Sequence, residues 1–355
     1  MRIRKNYLWA VVAVLVIAGG IITAILLRKH AAPDAVRLLP ECDAILYVNL
    51  EPIRLLTDLG KTTPKDRDPQ YGDFVRQTGF EFERDLDKAA FAIQYDVAGK
   101  GTPGETRYSE ILQGHFDSAR VANYLRNIAS KTEVYAGYDI YMVPVEDRTV
   151  RVALLGVDTA AVSNTESADV IRGMIDRYRQ AALPFTGPSL VSQYYASVPL
   201  GSVVWTIARP PASSNREDRE ELLLPGGWSG LLPPDSIVIA SARPLNDVRL
   251  RAEVILRSDA AAQSFTQQVQ TYLVLFKSLE ISMDTGGPDK DVKAAFDSLE
   301  VHQEKNQAVL SAKVPFAFFK KMLNASPVEL APEIPNSEER NPAKAPSNPK
   351  SAPGH

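Results

Sequence analysis

The chain has a single cysteine, Cys42, in 355 residues. One thiol can form neither an internal disulfide nor a zinc site, so no cross-linked scaffold and no cysteine metal knuckle holds this protein together. Histidine is nearly as scarce. His30, His115, His302 and His355 are widely separated, and none stands three or four residues from another ligand-type pair on a helix. An excess of one charge is also missing, since 40 Lys and Arg against 43 Asp and Glu leave a net charge of −3. A dedicated nucleic-acid binder concentrates Lys and Arg into a strongly basic face, so nucleic acid is not the expected partner.

Motifs that carry chemistry are equally thin. Gly99, Gly101 and Gly104 match the spacing of a dinucleotide-binding loop, but Pro103 removes a backbone donor and the segment runs into a strand. Such a site needs a helix N-terminus at that point, so the glycines read as a hairpin turn. Gly227-Trp228-Ser229-Gly230 misses the nucleophile elbow because Leu231 occupies its last position and Pro233-Pro234 follow where a helix should begin. Ser347 and Lys350 fit S-x-x-K only inside a Pro-rich tail. Asp85 and Asp87 are the closest paired carboxylates, and with Arg84 and Lys88 beside them they read as ion-paired. Cys42 reads as a small, partly buried residue at a strand entrance. No catalytic, cofactor-binding or metal-ligating residue follows from the sequence.

Long apolar runs are absent from the body but present at the start. Tyr7–Leu27 carries no charge and lies between Arg2, Arg4 and Lys5 on one side and Arg28 and Lys29 on the other. At about 1.5 Å per residue this length crosses a bilayer core of roughly 30 Å. The run exceeds the apolar core of a cleaved signal peptide, so residues 7–27 are expected to be an uncleaved transmembrane helix with the lipid bilayer as partner. Residues 1–6 would then be cytoplasmic and the bulk of the chain extracytoplasmic, anchored in the inner membrane, because basic residues near a span are retained inside.

Residues 28–39 read as a connector, and the body beyond them is hydrophobic enough to bury a core. Ala44–Leu50 has strand composition, and Glu51-Pro52 opens a helix. Strands follow over 88–97 and 105–114, and Asp117 caps a helix carrying Val121, Ala122, Leu125 and Ile128 on one face. Further strands are expected at 138–144, 149–156 and 160–163. Ser163 and Glu166 then form a capping pair for a helix with Val170, Ile171, Met174, Ile175 and Tyr178 on its buried stripe.

The second half reuses this order. Asp247–Arg257 leads through Ser258-Asp259 into a helix bearing Phe265, Val269, Tyr272, Leu273 and Phe276, and a hairpin over 299–314 precedes a helix over 316–324. The expected fold is α+β: an N-terminal transmembrane helix, then two similar lobes of antiparallel sheet backed by helices in ferredoxin-like order. The first lobe covers 40–182, an inter-lobe linker 183–200 and the second lobe 201–325. Residues 326–355, with six prolines from Pro332 to Pro353, read as a disordered tail.

One binding-type feature stands out. The segment 222–234, LLLPGGWSGLLPP, places Leu223, Leu224, Trp228, Leu231 and Leu232 in a stretch too rich in Gly and Pro for regular structure. Such a loop either contacts a partner or folds back as a lid over one lobe.

The blocks LLPECDAILYVNLEPIR, TGFEFERDLDKAAFA, TVRVALLGVDTAAVSN and DRYRQAALPF resemble an uncharacterised family of single-pass, envelope-associated bacterial proteins best represented among acidobacteria. The resemblance spans about residues 36–325 and brings no activity, substrate or cofactor. The expectation is a membrane-tethered extracytoplasmic binding or scaffolding protein whose partner is an envelope protein or cell-wall component. The alternative is an envelope enzyme, hydrolase-like, with a site assembled from scattered residues between the lobes.

Overall fold

Period-two alternation of apolar and polar residues places most strands of this chain in a sheet with two distinct faces, and pairing joins them all into one. The computed structural model describes residues 31–57, 69–95, 107–146, 148–180, 187–210, 232–233, 235–282 and 290–318. At the centre lies β1 (Ala44–Asn49), paired antiparallel with β2 (Leu86–Gln94) on one side and β8 (Val204–Ala208) on the other. Beyond β2 come, in spatial order, β3 (Arg107–Gly114), β7 (Thr159–Ser163), β6 (Arg148–Leu154), β5 (Tyr138–Val145) and β4 (Lys131–Tyr135). Beyond β8 come β9 (Ile237–Pro244), β10 (Val248–Ile255), β12 (Gln307–Val314) and β11 (Glu300–Glu304).

The helices are α1 (Asp34–Arg37), α2 (Leu50–Leu56), α3 (Pro69–Thr78), α4 (Phe82–Asp85), α5 (Ser118–Ile128), α6 (Ala168–Arg179), α7 (Ser189–Tyr194), α8 (Asp259–Ser282) and α9 (Lys290–Asp297). On the front face of the sheet, Ala35 and Val36 of α1 with Leu39 just past its end, Ile171, Met174 and Ile175 of α6 and Leu190 and Val191 of α7 pack against Ile45, Ile111, Ile140, Ala161 and Ile207. On the back face, Leu125 of α5 packs with Tyr141 and Val143, and Phe265 and Val269 of α8 pack with Val238, Val254 and Ala308. Two rows of side chains, alternating along each strand, thus feed two separate cores.

Local signals explain where the helices begin. Asp117 accepts hydrogen bonds from the backbone N–H groups of Ala119 and Arg120, at 3.0 and 3.1 Å, at the start of α5. At α8 the Ser258 hydroxyl oxygen accepts from Ala261 N at 3.2 Å. The cap of α6 differs from expectation. Ser167, not Ser163, accepts from Asp169 N, at 3.1 Å, while Ser163 is buried in β7 within 3.0 Å of the Ser109 hydroxyl. A buried strand position with a hydroxyl partner satisfies Ser163 better than an exposed helix end would.

The repeated order is present in the topology. In each half a central strand (β1 or β8) is followed, after a long connection, by an antiparallel partner (β2 or β9) and a third strand (β3 or β10). A back-face helix (α5 or α8) follows, then strands that return to pair beside the third strand (β7 or β12). The expectation of two lobes, each with its own sheet, is corrected. β1 and β8 pair from Ala44↔Ala208 to Val48↔Val204, so the halves share one 12-stranded sheet. Both strands carry apolar residues on both faces, and leaving them as free edges would expose those faces and a row of unpaired backbone groups.

The N-terminal transmembrane helix of that expectation is corrected with it. Among the described residues no helix is long and apolar enough to cross a membrane, and what they build is an antiparallel sheet with packed helices. The run Tyr7–Leu27 itself lies outside the described residues, as does the tail from 319 onward. Residues 183–200, read as a linker, contain α7 and the 3-10 turn Tyr195–Ser197, with Leu190, Val191 and Val198 buried. The α+β character stands.

Candidate functional site

Of the apolar loop singled out in the sequence, Leu223, Leu224, Trp228 and Leu231 lie outside the described residues. Leu232 is described, and it is a core residue: 8% exposed and packed with Val238, Val254 and Phe265. The glycine motif and Ser229 also lie outside the described residues, although β2 and β3 pair antiparallel from Leu86↔Gly114 to Gln94↔Arg107, the arms of a hairpin. Cys42 is partly buried just before β1, and burial first, then Glu41 and Asp43, push its thiol up to about 12. A thiol held so firmly protonated is a poor nucleophile.

The two aspartates part company. Asp85 accepts from Glu81 N at 2.9 Å and pairs with Arg84 at 2.6 Å; Asp87 pairs with Arg54 and lies 3.1 Å from His115 Nδ1. Arg54 also donates to the Leu86 carbonyl, so this ion pair fastens α2 to the sheet. Among the described residues, no group of three or more His, Cys, Asp and Glu side chains is placed to hold a metal ion. The junction between the halves is filled. Trp205, 2% exposed, stacks on Tyr47 at 5.4 Å and meets Tyr195 at 5.3 Å, with Ile45 and Ile207 beside them at 0%.

A depression of about 270 Å³ in the first half, lined by Asp34, Arg37, Gln113, Asp158, Thr159 and Tyr178, sets one cation among two carboxylates; a depression with an excess of cations lies elsewhere, on the front face of the second half. Apolar packing on that face reaches Ile237 and Ile239 of β9 and stops near Ile255 of β10. Past that limit Val309 of β12 is still buried, at 0%, while Arg249, Arg251 and Glu253 of β10 and Gln307, Ser311 and Lys313 of β12 are polar. Arg243 of β9, Arg249 of β10 and Lys313 of β12 stand directly opposite one another across three paired strands, Arg249 being the register partner of both others. Strands are about 4.8 Å apart, so the three Cα atoms fall within roughly 10 Å. The next row on the same face is Ser241, Arg251 and Ser311.

These side chains line a depression of about 270 Å³, with Pro199 on one side and Ser298 and Glu300 on the other. Pro199 is held there because α7 and the turn after it dock on β8, and the Arg243 guanidinium donates to the Leu200 carbonyl at 3.5 Å. Ser298 is fixed by hydrogen bonds with Lys313: its hydroxyl donates to the Lys313 carbonyl at 3.0 Å and accepts from Lys313 N at 2.8 Å.

The charges divide into two groups. Arg251 is neutralised, 2.6 Å from the nearly buried Glu253 and 3.7 Å from Glu304. Glu304 also contacts His302 at 2.9 Å, and that ring holds its carboxyl below the usual range. Among the described residues Arg249 has only Asp247 as an ion-pair partner, at 3.4 Å, and its side chain is 48% exposed. Lys313 is exposed and forms no ion pair among the described residues. Like charges placed directly opposite on a sheet repel, so this row is a local destabilisation that the fold carries. An anion seated over it would relieve that repulsion.

None of these four cations was singled out in the sequence. The period-two alternation Arg249-Leu250-Arg251-Ala252 was the available signal, and it reads only as a solvated strand face. Convergence with Arg243 and Lys313 depends on which strands pair, which no local pattern contains.

No protein-family model matches the chain, and no curated protein matches it. Among solved structures, TP0453 in crystal form III is similar over 82% of this chain and 98% of that chain, at 9% identity and a TM-score of 0.44. Crystal form IV of TP0453 gives 83% and 98%, at 10% identity and a TM-score of 0.43. A likeness this remote assigns neither a family nor an activity.

Proposed function

We propose that this is a non-enzymatic binding or scaffolding protein of the cell envelope. Its partner, an envelope protein or cell-wall component with anionic groups, sits on the front face of the β9–β10–β12 half. The observation that carries this reading is the row Arg243–Arg249–Lys313, three cations facing one another in an accessible depression with Asp247 and Glu300 as the nearby carboxylates. A surface selected only for stability would interleave opposite charges there. The resemblance of four sequence blocks to envelope-associated proteins supports the envelope setting. The filled junction between the halves favours binding over a reaction site placed between them.

Co-purification of the full-length protein from its own envelope, after cross-linking, tests the reading. The wild type should retain an anionic partner, and a variant with Arg243→Ala, Arg249→Ala and Lys313→Ala should lose it. Arg126→Ala, which removes an exposed cation of α5 on the back face, should not. A triple variant that keeps every wild-type partner would overturn the proposal.

A further inference from the structure

The depression has the size and donor set for one compact anionic group, which narrows the chemistry of what it holds. Its volume of about 270 Å³ lies just below the usual range for small-molecule pockets, on the order of a single polar headgroup. Its charged donors come from three strands, not one, with Arg243, Arg249 and Lys313 converging from β9, β10 and β12. Two hydroxyls, Ser241 and Ser311, flank Arg251 in the adjoining row and line the same space. A planar carboxylate offers two oxygens in one plane and is satisfied by a single guanidinium fork. A tetrahedral dianion offers oxygens in several directions, and its double charge matches a three-cation row better than one negative charge does.

Arg249, with a cationic neighbour on each side, is the pivot. Its guanidinium fork can take two oxygens of a tetrahedral group while Arg243 and Lys313 reach the others from either strand. Glu300 on the rim sets a limit to negative charge beyond that group. This favours a terminal phosphate over the backbone of a continuous polyanion.

We infer that the depression between Pro199 and Ser298 binds a phosphate-class dianion, a phosphomonoester terminus, through Arg243, Arg249 and Lys313 with the Ser241 and Ser311 hydroxyls. The inference rests on the proposed anionic-partner reading and specifies its chemistry.

The test uses full-length protein, with inorganic phosphate and glycerol phosphate as probes in calorimetric titration and thermal melts at low ionic strength. Succinate and acetate at matched ionic strength are the comparison anions. Both phosphates should bind and raise the melting temperature. Arg249→Ala should weaken binding by about tenfold or more, the loss expected for a charged hydrogen bond. Arg249→Lys should recover part of that loss, because charge returns without the fork. Loss of folding would not mimic this result, since removing Arg249 relieves two like-charge contacts and should leave the melting temperature at low salt unchanged or higher.

Phosphate binding equal in wild type and Arg249→Ala would overturn the site. Succinate binding as tightly as phosphate, with the same dependence on Arg249, would overturn the tetrahedral class and leave the anionic-partner reading intact. If no anion binds, the phosphate inference falls, and retention of the partner by the triple variant decides the broader reading separately.

Discussion

The two halves of the sheet share an order of elements but not a treatment of the front face. In the first half, α6 returns after β7 and seats Ile171, Met174 and Ile175 on Ile111, Ile140, Ala153 and Ala161. In the second half the strands equivalent in order, β10 and β12, carry Arg249, Arg251, Ser311 and Lys313 on that same face. The back faces of both halves are apolar and helix-covered. One repeat unit has therefore been used twice, once with α6 packed over the front face beside a depression lined by Arg37, Gln113 and Tyr178, and once with a row of cations in a depression of similar volume. The difference lies in which residues occupy one set of alternate strand positions, because a strand's two faces are specified independently.

The largest expected effect tests whether the halves are one folding unit. Trp205→Ala empties a site at the junction, where Trp205 touches Tyr47 and Tyr195, and should cost about 3–5 kcal/mol in urea denaturation. Tertiary signals from both halves should fall in a single transition. Two separated transitions in the wild type would break the one-sheet description.

A matched pair sharpens the contrast between front faces. Met174→Ala in α6 should cost about 2–5 kcal/mol, since the side chain is fully buried. Ser311→Ala, on the corresponding face of the other half, should change stability by no more than about 0.5 kcal/mol. Equal losses would mean that the second front face is packed as tightly as the first.

A further effect concerns the polar exception within the first half. Glu110 on the back face of β3 lies opposite Phe91 and Val162, and burial pushes its carboxyl up to about 7. Its folded pKa lies above the unfolded value, so the native state binds the extra proton. Stability should fall as pH rises from about 4.5 to 7 and then level off. Glu110→Gln should flatten that slope and raise the melting temperature above pH 7, with little change at pH 4. A variant with the wild-type pH profile would show that the carboxyl is solvated.

Much of the element order was legible in the residues. The strand signal at 44–50, the Asp117 cap and the apolar stripe Ile171, Met174, Ile175 each appear where composition and period place them. Local signals failed where a rival partner lay far away in sequence. Ser163 has the spacing of a helix cap, yet Ser109, 54 residues earlier, offers it a buried hydroxyl. Residues 188–198 open after a Pro- and Gly-rich stretch, so their apolar Leu190, Val191 and Val198 do not advertise the front-face core they fill. Leu232 shares a Gly- and Pro-rich stretch with Trp228, but its contacts with Val254 and Phe265 place it among core residues.

By itself the sequence determined the α+β class, the repeated order of elements, the alternation of polar and apolar faces and the scarcity of catalytic groups. These are properties of neighbouring residues, and short-range physics fixes them. Tertiary structure alone decided that β1 pairs with β8 to make one sheet, and that Arg243, Arg249 and Lys313 meet. Strand pairing brings together residues far apart in sequence, 164 positions for Ala44 and Ala208 and 64 for Arg249 and Lys313, and nothing local to any one strand carries its partner's identity.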